Sequence, residues 1–458
     1  MRRMAWGVLV AAGVVALGPA CGGGNGGEGA GAGDGGKTST GLEGGTLDGG
    51  DTGTGSADSG MQHDATSDAD GGSKPQDAAS EPAEPVEAGP FVSAPHPPWP
   101  LVAANGGVVL DPMKLVTVVS TGDPQASDFF AFGDQLIASA WWGSFSTEYG
   151  LGTPSASVHV TGPAITANLD GAQMQSYIAS AIAGTPAAAA DGQTMYMLYL
   201  PAGIDIIDDQ TKQPNTNCQY YGGYHTTYDK SGDAWGVGQH CPLTGTGLTD
   251  LQWMTIVGSH EIAEAATDPI PDNGYTLVAK IDTAQPWTQS PWVAAVYGEV
   301  GDMCVSTQIT EGSYTYQRIW SNTAAAQEQD PCVPPYANDA YVNASAPQGW
   351  YTMTVGGSVD IPVTGWSDRA TSDWIMEGAV WTSNTSASSP FQVTTTSPTV
   401  YPTDAGDYPT TNNGKVSTLT VSAPGAPSGS WAVIALYSEP LVQAGDPYHL
   451  WFVGVYIP

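Results

Sequence analysis

Large apolar side chains are almost absent from Gly22 to Pro90 and recur regularly only from about Phe91 onward. That boundary limits what can fold. A segment of Gly, Asp, Ser, Ala and Pro with little apolar surface to bury cannot offset its ordering entropy, so residues 22–95 are expected to be a disordered, flexible tether. The acidity of the chain follows the same division. Residues 22–90 carry 13 acidic and 2 basic side chains, residues 91–458 carry 32 and 7, and the whole chain has a net charge of −34. Nucleic acid as a partner is excluded, because neutralising phosphates needs clustered Lys and Arg. Electrostatic adhesion to an anionic membrane surface is excluded for the same reason.

Ahead of the tether, residues 1–21 read as an export signal: Arg2 and Arg3, the apolar run Met4 to Leu17, then Pro19-Ala20-Cys21. The run is too short to span a bilayer stably, which favours a cleaved signal over an anchor. Cys21 followed by three glycines resembles the end of a bacterial lipoprotein signal, where the thiol is acylated after cleavage. That reading makes Cys21 the lipidation site and a lipid the membrane anchor, with the outer membrane as destination. The alternative is ordinary cleavage and secretion.

Beyond residue 95, strand-like and helix-like stretches alternate, which predicts an α/β or α+β domain over 96–336. Strands are expected within 107–120, at 155–161 and at 195–207, and helices across 128–140 and 172–183. After Tyr336 the helical periodicity disappears. Residues 340–458 are rich in Thr, Ser, Val, Trp and Tyr with closely spaced turn residues, which predicts an all-β, immunoglobulin-like sandwich of about seven strands. Trp350, Trp366, Trp374, Trp381, Trp431 and Trp451 are expected to fill its core; stacking on a cell-wall polysaccharide is the alternative role. Cys218, Cys241, Cys304 and Cys332 suffice for two disulfides, with proximity favouring Cys218–Cys241 and Cys304–Cys332 among three connectivities.

The segment that carries chemistry opens on a capping box, Thr249-Asp250-Leu251-Gln252, and closes before Pro269. Within that helix lies Ser259-His260-Glu261-Ile262-Ala263-Glu264. At about 100° per residue, His260 and Glu264 leave one face a single turn apart, Glu261 lies beside them, and Asp268 returns close to His260. The pattern is HExxH with the second histidine replaced by Glu264. A carboxylate in place of that histidine makes such a site harder and more anionic. Zinc is the first expectation, with manganese and calcium as competitors. Downstream, Gly298-Glu299-Val300-Gly301-Asp302-Met303-Cys304 supplies two more carboxylates, so Glu299 or Asp302 can complete the ligand set.

The run SHEIAEAATDP, followed by GEVGDMC and RIWSN, resembles secreted bacterial proteins related to the Exordium or phosphate-induced family. The strand from Cys218 to His225, together with Trp235 and Cys241-Pro242, adds to the resemblance, which spans about residues 110–335. It implies a zincin-like metallopeptidase. His260 and Glu264 would ligate the metal with Glu299, Asp302 standing in or orienting His260. Glu261 would be the general base and protein or peptide the substrate. His225 is placed near the cleft, where it would hydrogen-bond a tetrahedral intermediate, or it is structural. Arg318 either balances the acidic site or forms an ordinary salt bridge. Plant members lack the His-Glu signature and are associated with the cell wall and growth signalling, so a non-catalytic surface or wall-binding protein is the rival class.

Overall fold

A computed structural model describes residues 90–458 apart from 220, 229–231, 245, 272, 279, 306, 338, 372–373, 386–389, 397–411 and 441–447. The export signal, Cys21 and the tether up to residue 89 lie outside the described residues. The first part runs through β1 (Ala103–Ala104), β2 (Lys114–Ser120), α1 (Ala126–Leu136), α2 (Ala140–Phe145), β3 (Ala156–Gly162) and α3 (Gly171–Ile182). It continues with β4 (Thr194–Tyr199), β5 (Gly223–Thr227), β6 (Ala234–Gly238) and α4 (Asp250–Thr267). Then come β7 (Tyr275–Thr276), α5 (Pro291–Val296), β8 (Gln308–Glu311), β9 (Tyr314–Gln317), β10 (Ile319–Trp320), α6 (Asn322–Ala326) and β11 (Cys332–Val333).

Five strands form one sheet in the order β3-β2-β4-β6-β5, parallel except for β5 against β6. Side chains of β2 and β4 alternate between two cores. Leu115, Val119, Met195, Met197 and Tyr199 pack with Phe129 and Phe132 of α1 and Ile262 of α4. Val116, Val118, Tyr196 and Leu198 meet Met174 and Ile178 of α3. Both faces of the strands are apolar because both are covered by helices, as a parallel sheet requires. The result is a mixed α/β layer structure.

Helix α4 carries the candidate residues His260, Glu261 and Glu264. Thr249 Oγ1 accepts from the Gln252 amide at 3.2 Å, and Gln252 Oε1 accepts from the Thr249 amide at 2.8 Å, closing the capping box. From Met254 to Thr267 nearly every residue of α4 is buried, between the sheet and β9. Gly258 permits that approach, since a Cβ there would lie 2.2 Å from the Tyr199 hydroxyl oxygen. A helix enclosed on all sides should carry apolar or small residues. Glu261 and Glu264 in its middle therefore need compensating partners.

Residues after Tyr336 form a sandwich of two four-stranded sheets. Its strands are β12 (Val342–Ser345), β13 (Trp350–Thr352), β14 (Ser358–Ser367), β15 (Trp374–Ser383), β16 (Gln392–Thr396), β17 (Val416–Ser422), β18 (Trp431–Pro440) and β19 (His449–Tyr456). The sheets run β12-β14-β17-β16 and β13-β19-β18-β15, antiparallel except β13 against β19. Ile361, Val363, Leu419, Val421, Ile434, Leu436 and Phe452 fill the space between them. Trp366, Trp374 and Trp451 are buried. Trp350 and Trp381 turn toward the α/β part, donating to Gln289 O at 2.8 Å and Ala295 O at 2.9 Å. Trp292 of α5 meets Phe452 edge-on, with ring centres 4.8 Å apart.

The chain leading into β1 is built into both halves. The Ala94 amide donates to Asn413 Oδ1 at 2.8 Å, and Val92 O accepts from Asn413 Nδ2 at 3.0 Å. The His96 ring stacks on Trp366 at 3.7 Å, and Trp99 lies among Trp292, Trp320, Tyr341, Trp366 and Trp451. Packed structure thus reaches upstream of residue 96.

Three element expectations differ from the fold in instructive ways. The helix expected across 128–140 ends at Leu136, because Ser139 caps a new helix by accepting from the Trp142 amide. The strand expected at 195–207 stops at Tyr199, ahead of Pro201 and a turn with Gly203 at φ +84°. Within 107–120, the five-stranded sheet uses only Lys114–Ser120.

Candidate metal centre

Three pieces of chain converge at the C-terminal half of α4. The helix brings His260, Glu261 and Glu264. Strand β5 brings His225, which is paired with Gly236 in the sheet and 2% exposed. The turn after α5 brings Glu299, bridged to Thr276, and then Asp302 at the start of a short 3-10 turn ending at Cys304. The Cys304–Cys332 disulfide fixes the far side of that turn, and Cys218–Cys241 joins the segments flanking β5 and β6.

Two ligand sets emerge, and Glu264 belongs to both. His260, Glu264 and Asp302 each present one donor atom within 4.8 Å of the others, and so do His225, Glu264 and Glu299. His260 Nε2 lies 3.0 Å from Glu264 Oε2 and 3.8 Å from Asp302 Oδ1. Asp302, rather than Glu299, shares the set with His260, whereas Glu299 lies with His225. Donors about 2.0–2.2 Å from one divalent ion stand roughly 3–3.5 Å apart, so these separations fit a cation.

Oxygen by oxygen, the centre is held in place. Glu264 Oε1 accepts the Asp302 amide at 3.0 Å, which leaves Oε2 facing the imidazoles. Gly301 is a cradle: a Cβ there would sit 2.8 Å from both Glu264 Oε1 and His260 Nδ1. Its carbonyl accepts from Gln317 Nε2 at 2.6 Å, and the Gln317 amide donates to Ser259 Oγ at 2.9 Å. That relay ties the 3-10 turn back to α4 through β9. His225 Nε2 lies 3.1 Å from the Asp268 carbonyl, which only accepts, so Nε2 carries the hydrogen. His225 Nδ1 then points at Glu261 Oε2 and Glu264 Oε2, each 3.6 Å away. Asp268 Oδ1 accepts from the Gly274 amide at 2.7 Å, and its buried carboxyl reaches Glu299.

Electrostatically the site is strained toward protons or cations. Burial lowers the His260 imidazole, but Glu264 and then Glu261 outweigh it and push it up to about 10. Burial opposes ionisation of Glu264, yet His260 and His225 hold it well below the usual range. Burial, then Glu264, keeps Glu299 and Asp302 well above theirs, and burial also raises Glu261. A raised folded value means stability that is full below the free value and lost as pH climbs through the folded one. For His260 that window runs from 6.5 to about 10. The raised carboxyls act in the same direction, whereas Glu264 opposes only at the acid end. Chelator-treated protein should therefore lose several degrees of melting temperature between pH 6.5 and 10 by calorimetry. A flat profile would contradict this electrostatic picture.

Sequence reasoning placed Asp268 near His260 but gave it no role, and it missed Gly301 and Gln317. Gly301 had a visible cue in its position beside Asp302. Gln317 had none, because only the β8–β9 hairpin brings it to the turn. Arg318 points elsewhere, to Asp330 at 2.5 Å, to the carbonyls of Cys332 and Pro334, and over the Tyr336 ring. His159 pairs with Asp134 at 2.9 Å, His240 with Asp250 at 2.7 Å, and His449 with the Val342 carbonyl. Among the described residues no helix is long and apolar enough to cross a membrane.

No family model and no curated protein matches the sequence. Among solved structures, the crystal structure of the S-layer protein SbsC domains 4 and 5 aligns with 35% of this chain and 94% of that chain, at 11% identity and a TM-score of 0.17. A likeness that weak carries no argument about fold or function.

Proposed function

We propose that this chain is an exported, zincin-like, metal-dependent peptidase centred on His260, Glu264 and Asp302. The observation that carries the reading is Glu261, a carboxylate buried in the middle of α4 directly beside that ligand set. A divalent cation held there, zinc first and manganese or calcium as competitors, supplies Lewis acidity toward a peptide carbonyl and a water. Glu261 is the general base. Burial raises its proton affinity toward the working range of an acid-base group, which suits it to take a proton and pass it to a leaving amine. His225, anchored through Nε2 on the Asp268 carbonyl, limits where the Glu261 and Glu264 carboxylates can turn. His260 and Asp302 side chains are each 18% exposed against 3% for Glu264, so substrate would approach from their side.

Two disulfides suit an oxidising compartment outside the cytoplasm. With the signal-like N-terminus, they favour an exported protein anchored by lipid at Cys21 on the outer membrane. Protein or peptide is the proposed substrate.

The test combines cation content of purified protein with hydrolysis of an unfolded protein substrate. Glu261→Gln should keep its cation and lose hydrolysis by about 10²–10⁴-fold. His260→Ala should lose both. Equal hydrolysis by wild type and Glu261→Gln would sink the peptidase reading. Cation binding without any hydrolysis would instead support a non-catalytic surface protein, with polysaccharide as the partner to try next.

A further inference from the structure

We propose that the centre holds two divalent cations, with Glu264 between them: one on His260, Glu264 and Asp302, the other on His225, Glu264 and Glu299, with Asp268 beside it. The proposal rests on the reading of the first position given above and adds the second.

The geometry around Glu264 carries it. One carboxylate oxygen is taken by the Asp302 amide, and the other stands between two imidazoles, 3.0 Å from His260 Nε2 and 3.6 Å from His225 Nδ1. The imidazoles belong to different ligand sets, so a single ion does not satisfy both. His225 Nε2 donates to the Asp268 carbonyl, the backbone anchor usual for a metal-bound imidazole, and stands 3.8 Å from Glu299 Oε1, while Nδ1 is turned to Glu261 and Glu264. Nδ1 faces Glu261 Oε2 and Glu264 Oε2, a position filled either by a proton on the ring or by a cation shared with Glu264. The buried Asp268 carboxyl is a further oxygen donor on this side of the centre, close enough to Glu299 for the two to share a proton where no cation is bound.

Charge points the same way. Glu261, Glu264, Asp268, Glu299 and Asp302 place five carboxylates in one buried region. The ion pairs that Lys114, Lys212, Arg318 and Arg369 make run to Asp191, Asp209, Asp330 and Asp368, away from the centre. With neutral imidazoles and all five carboxylates ionised, one dication would leave three negative charges uncompensated and two would leave one; where no cation is bound, Glu299 and Asp302 are held toward their protonated forms instead. A buried site tolerates the second balance far better. A bridged pair also matches two-cation hydrolytic centres, where both ions clamp the attacking and leaving oxygens.

The test is zinc stoichiometry of the full chain, loaded with zinc alone, desalted and measured by atomic emission. Wild type should hold two zinc ions. Glu299→Gln and Asp302→Asn should each hold one, and Glu264→Gln none. Glu299→Gln is nearly isosteric and its side chain is 14% exposed, so it is chosen over the fully enclosed His225. Loaded with manganese, wild type should give an exchange-coupled electron paramagnetic resonance spectrum that Glu299→Gln lacks. One zinc in wild type, unchanged by Glu299→Gln, would overturn the second position and leave the first standing. Two zinc ions in both proteins would also overturn it, since the extra ion would then lie elsewhere. No zinc in wild type would overturn both readings.

Discussion

Gly301→Ala should strip the centre of its cation while leaving the chain folded. The backbone there has φ −78° and ψ −44°, ordinary for any residue, so alanine meets no conformational strain. The obstacle is steric. The new methyl would stand 2.8 Å from Glu264 Oε1 and His260 Nδ1 and 3.1 Å from His260 Cε1. Glu264 cannot swing away without losing the Asp302 amide, and His260 is confined by α4 on one side and the 3-10 turn on the other. Overpacking of this kind costs about 1–3 kcal/mol, which a protein of this size survives. Zinc affinity, by contrast, should fall by about 100-fold or more, the scale seen when a ligand's supporting shell is disturbed. Isothermal titration of wild type and variant decides it, and equal dissociation constants would show that Gly301 is no cradle.

Removing the Cys304–Cys332 disulfide should have the largest effect on stability. The closed loop spans 28 residues, for which chain entropy gives about 3–4 kcal/mol. That loop contains the β8–β9 hairpin, so its loosening also reaches Gln317 and, through it, the Gly301 carbonyl. The double variant Cys304→Ser/Cys332→Ser should melt on the order of 5–10 °C lower and bind zinc more weakly than wild type. A melting temperature within a degree of wild type would mean that packing alone holds the turn.

What could be read beforehand follows from how local each cue was. The capping box and Pro269 fixed α4 to the residue, because both signals act through bonds within the helix. His260 and Glu264 met as their four-residue spacing requires. The two disulfides joined neighbouring cysteines. The partners of Glu264 were harder to read. Glu299 and Asp302 are three residues apart, yet Glu299 sits in a bridge to Thr276 and Asp302 opens a 3-10 turn, so they face different imidazoles. No periodicity encodes that divergence. His225 reaches the centre only because β5 runs antiparallel along the edge of an otherwise parallel sheet, a choice of topology that its own residues do not announce.

The seating of α5 gives the β-sandwich a mechanical part in shaping the candidate centre. This short helix leads directly into the turn bearing Glu299 and Asp302. Its outer side is gripped by the sandwich, through Trp381 on the Ala295 carbonyl, Trp350 on the Gln289 carbonyl and Phe452 against Trp292. The two carboxylates are thus set from behind by a second fold, much as a tool bit is held by its chuck. A sandwich exchanged for another would have to reproduce that grip before the centre regained its dimensions, so the two halves are parts of one instrument.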